Sequence, residues 1–371
     1  MNCKRTAAAL LAALLTGLSL AACTGMGGTN SSATSSSKTP AVSSAASDST
    51  APSSRSSLPQ IKLTLAVDSE TAAPLLGGIY AADKQDYFGR YGLNVTIRTA
   101  DTSAAALDLT SSGTAQFAVA KQSTSFANAL CSGKAVTAVA AVLQHSDAGI
   151  LTSAAKKTVR PKQLENTTCQ IAADIPLTGA MLKETVAADG GKAALVKTGI
   201  ASADAAAALK GGAAYCGSYS WDGLACKQAG VTANFLFYRD TVPALDEYPC
   251  LLAGNNTFLK QHPQTAKDFL SAVREGYLYA AAHPDTTAKL VCAAVPAVKN
   301  QQPLVQRSLT WLAGKYTDGA AVWGQIDTVR WNRFYSWMNQ KKLTSKAVPL
   351  GTGVSQSCLP QPTDSTLAQA S

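Results

Sequence analysis

Between Ala214 and Gly230 the chain reads AYCGSYSWDGLACKQAG, which brings Tyr215, Tyr219, Trp221 and the carboxylate of Asp222 within eight residues. A short apolar run gives way here to a helical pattern, and the loop between a strand end and a helix start is where α/β folds place ligand sites. Aromatic faces supply stacking area, and a carboxylate accepts hydrogen bonds from an amino group on a flat heterocycle. The combination suits a small aromatic nitrogen compound. It also suits a plain structural role, with the rings in a core and Asp222 capping the helix.

The elements around this stretch alternate. Ile61–Val67, Asn94–Arg98, Gln116–Ala120 and Ala135–Val142 read as strands, separated by a helical stretch from Pro74 to near Gly92, a helix over Ser103–Leu109 and another after Ala120. A second unit of the same kind begins after Lys156: strand Cys169–Ala173, helix Thr178–Ala188, short strand Ala194–Val196, helix Ala203–Leu209, then the aromatic stretch and Asn234–Tyr238. Alternation of this type implies α/β architecture with parallel or mixed sheets between helices. From Asn255 to Gln340 the pattern is nearly all helical, with Phe269, Leu270, Val273, Tyr277 and Ala280 on one stripe and Pro284 ending that helix. Trp323, Trp331, Phe334 and Trp337 recur at helical spacing and read as packing. Two α/β units and a helical C-terminal segment predict lobes joined by crossing strands, the second crossing near Asp246–Ala253.

Residues 1–22 carry Lys4 and Arg5, an apolar run from Ala7 to Leu20, and small residues before Cys23. That run is too short to span a bilayer core of ~30 Å and reads as an export signal. Residues 24–60 contain thirteen serines and almost no large apolar side chain. Such a segment has too little to bury and is expected to be a tether with a reach on the order of 35 Å. Charged residues are only 15 % of the chain and form no basic run, so its net charge of +9 does not point to nucleic acid. Seven cysteines follow Cys23 without a C-x-x-C, and His145, His262 and His283 are scattered, which argues against a zinc site. An exported chain can form disulfides, and Cys216 with Cys226 is one conceivable brace of the central loop. No P-loop, Gly-rich dinucleotide turn or nucleophile elbow is present.

Leu20-Ala21-Ala22-Cys23 resembles the lipobox of bacterial lipoproteins, which implies acylation of Cys23 and an anchor on the outer face of a cell membrane. The stretches GGIYAADKQDYFGRYGLNV (77–95), GTAQFAVAKQST (113–124), AVLQHSDAGILTS (141–153), SYSWDGLACKQAG (218–230), LDEYPCLLA (245–253), FLSAVREGYLYAAAHPDTTAKL (269–290) and WGQIDTVRWNRFYSWM (323–338) resemble the ThiY type of solute-binding protein. These belong to ABC importers that salvage pyrimidine precursors of thiamine. The resemblance implies a two-lobed periplasmic-binding-protein fold, type II-like. It also implies a small-molecule ligand, a permease with its own ATPase as partner, a monomeric state and no cofactor. The implied organisation is a signal peptide at 1–22, lipidated Cys23 and tether at 23–60, a first lobe of 61–153 and 250–358, a second lobe of 154–249, and a tail at 359–371.

By the same resemblance Asp222 takes the place of the acidic residue that pairs with the aminopyrimidine edge, with Trp221 and Tyr219 in its aromatic neighbourhood. Gln122, Thr178 and Gly179 would face the same cleft. His145 follows a buried-looking strand and reads as a ligand contact or a structural residue, and Tyr248 lies at the second crossing, where it could line the cleft. The chain departs from the family after the first strand, where AVDSETAAPLLGG (66–78) replaces a loop that often carries Trp, Asn and His. One aromatic wall and two polar contacts are thus absent or supplied elsewhere, and Asp68 and Glu70 there favour an amine-bearing ligand or are rim charges. Two alternatives stay open: the same fold holding another metabolite such as a sulfonate or amine, and an enzyme of the pyrimidine-synthase type found in a fungal relative of the fold.

Overall fold

The computed structural model describes residues 61–68, 73–172 and 174–361, all within one compact unit, Arg55–Ser371. The leader, Cys23, the Ser-rich segment, Glu70 and the end of the tail lie outside the described residues. No described helix is long and apolar enough to cross a membrane.

The chain opens with β1 (Ile61–Asp68), whose last four residues are buried because it runs between two parallel neighbours. The helix expected from Pro74 to Gly92 is three pieces: a 3-10 turn at Ala73–Leu76, α1 (Gly77–Lys84) and α2 (Tyr87–Arg90). Asp86 adopts a left-handed φ of 55°, which ends one helix and starts the next. Then follow β2 (Leu93–Ala100), α3 (Ser103–Ser111), β3 (Phe117–Ala120), α4 (Ser123–Cys131) and β4 (Val136–Ala141). The chain leaves for a second sheet through β5 (Ala148–Ser153), β6 (Thr168–Ile171), α5 (Ile175–Ala188), β7 (Lys197–Ile200), α6 (Ala205–Lys210), β8 (Ala214–Ser218), α7 (Leu224–Gln228) and β9 (Ala233–Phe237). It returns by α8 (Tyr238–Thr241) and β10 (Leu251–Asn255), and ends in α9 (Asn256–Gln261), α10 (Pro263–Ala282), α11 (Pro284–Ala294), α12 (Gln302–Leu312) and α13 (Thr328–Gln340).

The two sheets share one plan. Strand order is β2-β1-β3-β10-β4 in the first and β7-β6-β8-β5-β9 in the second. In each, three parallel strands are followed by an antiparallel strand that has just crossed from the other side, then by an edge strand. This is α/β architecture with two mixed sheets, as expected. Two boundaries differ. Residues 148–153 belong to the second sheet, so a first lobe ending at Ser153 runs one strand too far. The short strand expected at Ala194–Val196 is Lys197–Ile200, because residues 193–195 form a 3-10 turn that leads into it.

Packing explains why the first sheet is firm. Its strands FAVA, VTAVAA and LLAGN are small and apolar on both faces, since helices cover both sides. The stripe Phe269, Leu270, Val273, Tyr277 and Ala280 of α10 is fully buried, and Phe269 stacks on Phe117 with centroids 3.9 Å apart. At the α1–α10 crossing a side chain on Gly276 would run into the Gly78 carbonyl, so only glycine lets the helices meet. Trp331, Phe334 and Trp337 of α13 pack into a second cluster, and Trp323 stacks on Tyr277.

Asp246 ties the crossings together. It accepts from Ser146 N (3.0 Å), lies 2.6 Å from His145 Nδ1, and pairs with Arg330 NH1 of α13 (3.1 Å). The Arg330 guanidinium rests 4.1 Å above the Tyr248 ring, whose hydroxyl accepts from Asp327 N.

Candidate functional site

A cavity of about 540 Å³ lies at the C-terminal ends of the parallel strands of both sheets. Lys121, Gln122 and Ser123 reach it from the end of β3, Asp174 and Thr178 from the turn after β6 and the start of α5, and Gly217, Ser218, Ser220, Trp221 and Asp222 from the end of β8 and the turn that follows. Asp147 and Glu247 come from the two crossings, and Val298 and Gln301 from the connection between α11 and α12.

The turn after β8 is a π-helical turn, Tyr219–Gly223, a conformation that occurs mostly as single turns at functional sites. Asp147 holds it from below: its carbonyl accepts from Tyr219 N (2.9 Å) and its Oδ2 from Ser220 N (3.1 Å). From above, Ser308 Oγ of α12 donates to the Ser220 carbonyl (2.5 Å). Trp221 therefore faces the cavity and packs on the first sheet's core, while Tyr219 turns to the opposite face. Asp222 Oδ2 accepts from Ser218 N (2.8 Å), and a side chain on Gly217 would overlap that carboxylate, which is why the strand carries glycine one residue before its end. Asp222 thus satisfies the N–H of the residue that opens the π-helical turn while also lining the cavity. Its carboxyl is pushed up to about 6, first by burial and then by the neighbouring charge of Asp147.

Three further carboxyls share the cavity. Burial pushes Glu247 up to about 7 against the lowering effect of the Ser123 hydroxyl, and Asp174, Asp147 and Asp246 push it the same way. Asp147 is raised by burial despite its bonds from Ser220, and Asp174 is raised by burial despite the Leu177 N–H. Asp174 sits at a left-handed φ of 45° and accepts from the Thr124 hydroxyl of α4, a contact made from one side of the cavity to the other. The only lysine or arginine among the described lining residues is Lys121. Its Nζ lies 3.7 Å from Asp68 Oδ1, both groups being almost fully buried.

Five of the residues singled out in the sequence thus meet in the cavity: Gln122, Thr178, Tyr215, Trp221 and Asp222. The others stand elsewhere. Asp68 lies behind Lys121 and accepts from Ser103 Oγ (3.1 Å). Tyr219 lines a separate hollow of about 250 Å³, against Phe235 and Trp311, with Lys227 Nζ donating to its hydroxyl (2.6 Å). Gly179 is on α5 and faces Ile171, not the cavity. His145 and Tyr248 belong to the crossings through Asp246 and Arg330. All seven described cysteines are free thiols, and Cys216 and Cys226 pack into different clusters, so no brace joins them. The sequence reading did not single out Asp147, Asp174, Glu247 and Lys121.

Two sheets of matching strand order around a cavity lined by both acidic and apolar side chains define a two-lobed fold of the periplasmic-binding-protein kind. The chain belongs to the family described as NMT1/THI5 like, whose profile matches residues 73–287. The fold is similar to the periplasmic sulfonate-binding protein SsuA of Methylobacillus flagellatus KT at a TM-score of 0.61 and 13 % identity, covering 81 % of this chain and 93 % of that one. It is also similar to the aliphatic sulphonate binding protein SsuA of Escherichia coli (0.60, 12 %, covering 77 % and 89 %). A third relative in shape is the desulfurization enzyme DszB (0.52, 13 %, covering 77 % and 94 %). At such identities the likeness is one of fold alone, and an enzyme among the neighbours shows that this fold does not decide activity. No curated protein matches the chain.

Proposed function

We propose that the chain is the extracytoplasmic solute-binding component of an ABC importer, anchored through acylated Cys23, with a permease and its ATPase as partners. Its ligand in this reading is a thiamine pyrimidine precursor of the hydroxymethyl- or formylaminopyrimidine type. The observation that carries the reading is the placement of Trp221 and Asp222 side by side on the wall of a cavity between the two sheets. The indole offers a stacking face and the carboxylate an acceptor for an exocyclic N–H, with Gln122 and Thr178 in the same lining. We divide the chain functionally into a first lobe built on the β1 sheet with the C-terminal helices, and a second lobe built on the β6 sheet.

The binding role is favoured over catalysis because none of the three histidines lines the cavity, and the enzyme reading needs a histidine of the chain's own as substrate. Isothermal titration of the full chain with hydroxymethylpyrimidine tests the proposal. Asp222→Asn keeps an acceptor for Ser218 N and removes the charge, so binding weakens by about 10- to 100-fold, the worth of a charge-assisted bond. Equal affinity in the variant, or no heat with any pyrimidine, overturns it.

A further inference from the structure

The charge of the cavity is lopsided. Asp147, Asp174, Asp222 and Glu247 line it, against a single lysine whose charge is matched by Asp68. Arg239 also acts on Asp147, yet its guanidinium lies over the Phe237 ring and donates to the Ser146 carbonyl, outside the cavity wall. The carboxyls form a chain of neighbours: Asp222 feels Asp147, and Glu247 feels both Asp147 and Asp174. One end of that chain lies beside the Trp221 indole and the other where α4 meets the turn after β6. A second feature points to an occupant. Tyr238 lines the same cavity, and its fully buried hydroxyl has the weakly accepting Cys216 thiol, with Cys169 near it, and no stronger acceptor among the described residues.

Burying like charges together is unfavourable until a counter-charge arrives. We infer that the ligand supplies it: a flat amino-heterocycle bearing a protonated alkylamine arm, the ring lying on Trp221 with its amino edge at Asp222, the ammonium held by Glu247 and Asp174. This deepens the pyrimidine reading above and rests on it. An anion has no place in the same cavity, because the lysine there is already balanced. The sulfonates bound by the similarly folded SsuA proteins are thus the wrong class of ligand for this chain.

Calorimetric titration of the full chain at neutral pH decides the matter with four probes: aminomethylpyrimidine, its neutral isostere hydroxymethylpyrimidine, a linear alkyl diamine, and ethanesulfonate. The aminomethyl compound binds about tenfold tighter than the hydroxymethyl one, the margin between a charged and a neutral hydrogen bond, and ethanesulfonate gives no heat. In Glu247→Gln that preference disappears, so that the aminomethyl and hydroxymethyl compounds bind with equal affinity. Asp174→Asn lowers the preference in the same direction and serves where the first variant unfolds. Equal or tighter binding of hydroxymethylpyrimidine by the wild-type chain overturns the charge inference and leaves the pyrimidine reading standing. Binding of the diamine but of no pyrimidine upholds the charge and removes the ring. Binding of ethanesulfonate, or failure of every amine to bind, overturns the inference.

Discussion

The two sheets repeat one strand order but are built of different material. In the first, β3, β4 and β10 are almost wholly buried between helices, and α10 drives aromatic rings into them. Of the first sheet's two edges only β2 is open to solvent, whereas in the second both edge strands keep solvent contact, β7 most of all, with Ile200 at 73 % exposure. The first is a platform and the second a lighter flap that carries Trp221 and Asp222. The cavity's aromatic and acidic wall is fixed by the hydrogen bonds of the π-helical turn together with the packing of Trp221 on the first sheet's core.

The sharpest way to break that contrast is to weaken the platform. Phe269→Ala removes a ring stacked on Phe117 and Phe88, and urea unfolding should show a loss of about 3–5 kcal/mol. Affinity per folded molecule should stay unchanged. A loss of ligand selectivity in that variant would show that platform and wall are not separable.

Next in size is the effect of pH on the acidic wall. Asp222 and Glu247 have folded-state values raised to about 6 and about 7, above those of the unfolded chain. Their contribution is fully present below the unfolded values and is lost as pH rises through the folded ones, so ligand-free stability should fall between about pH 4 and 7. Asp189, Asp318 and Asp327 are lowered by their partners and act oppositely, losing stability as pH falls below the ordinary carboxylate range. Thermal unfolding across pH measures the balance, and Glu247→Gln should flatten the upper part of the curve.

Smaller effects sharpen the picture. Ser308→Ala leaves the buried Ser220 carbonyl without its donor at a cost of about 1–3 kcal/mol, and should weaken ligand binding because the turn carrying Trp221 loosens. Smallest are the caps. Thr102 accepts from Ala105 N in the first lobe and Asp204 from Ala207 N in the second, and either residue changed to alanine should cost about 1 kcal/mol in urea unfolding. A larger loss for the Asp204 variant would confirm that the flap has less in reserve.

Much of this was legible in the sequence. The alternation of strand and helix gave the two units, and α10 announced itself by its stripe. Trp221 and Asp222 stood out because an aromatic and an acid at a strand-to-helix turn is a local pattern. Asp147, Asp174 and Glu247 were not, because each is one carboxylate on a connection, and only the meeting of distant segments makes them neighbours. HSDAG and LDEYPCLLA held the signal, since both fall at crossings, but spacing alone does not say which of Asp246 and Glu247 faces inward. Tyr219 misled for a related reason: two residues from Trp221, it is carried to the other face by the π-helical turn. His145 and Tyr248, read as candidate ligand contacts, are held at the crossings by Asp246 and Arg330 and do not line the cavity.

The strand exchange sets an order of assembly. Every strand of the second sheet lies in one unbroken run, 148–237, whereas the first sheet lacks the strand between β3 and β4 until Leu251–Asn255 is available. A chain emerging from its N-terminus can therefore finish the flap while the platform still has a gap in its middle. Truncation before residue 251 should leave a protein whose sturdier half is the one that cannot close.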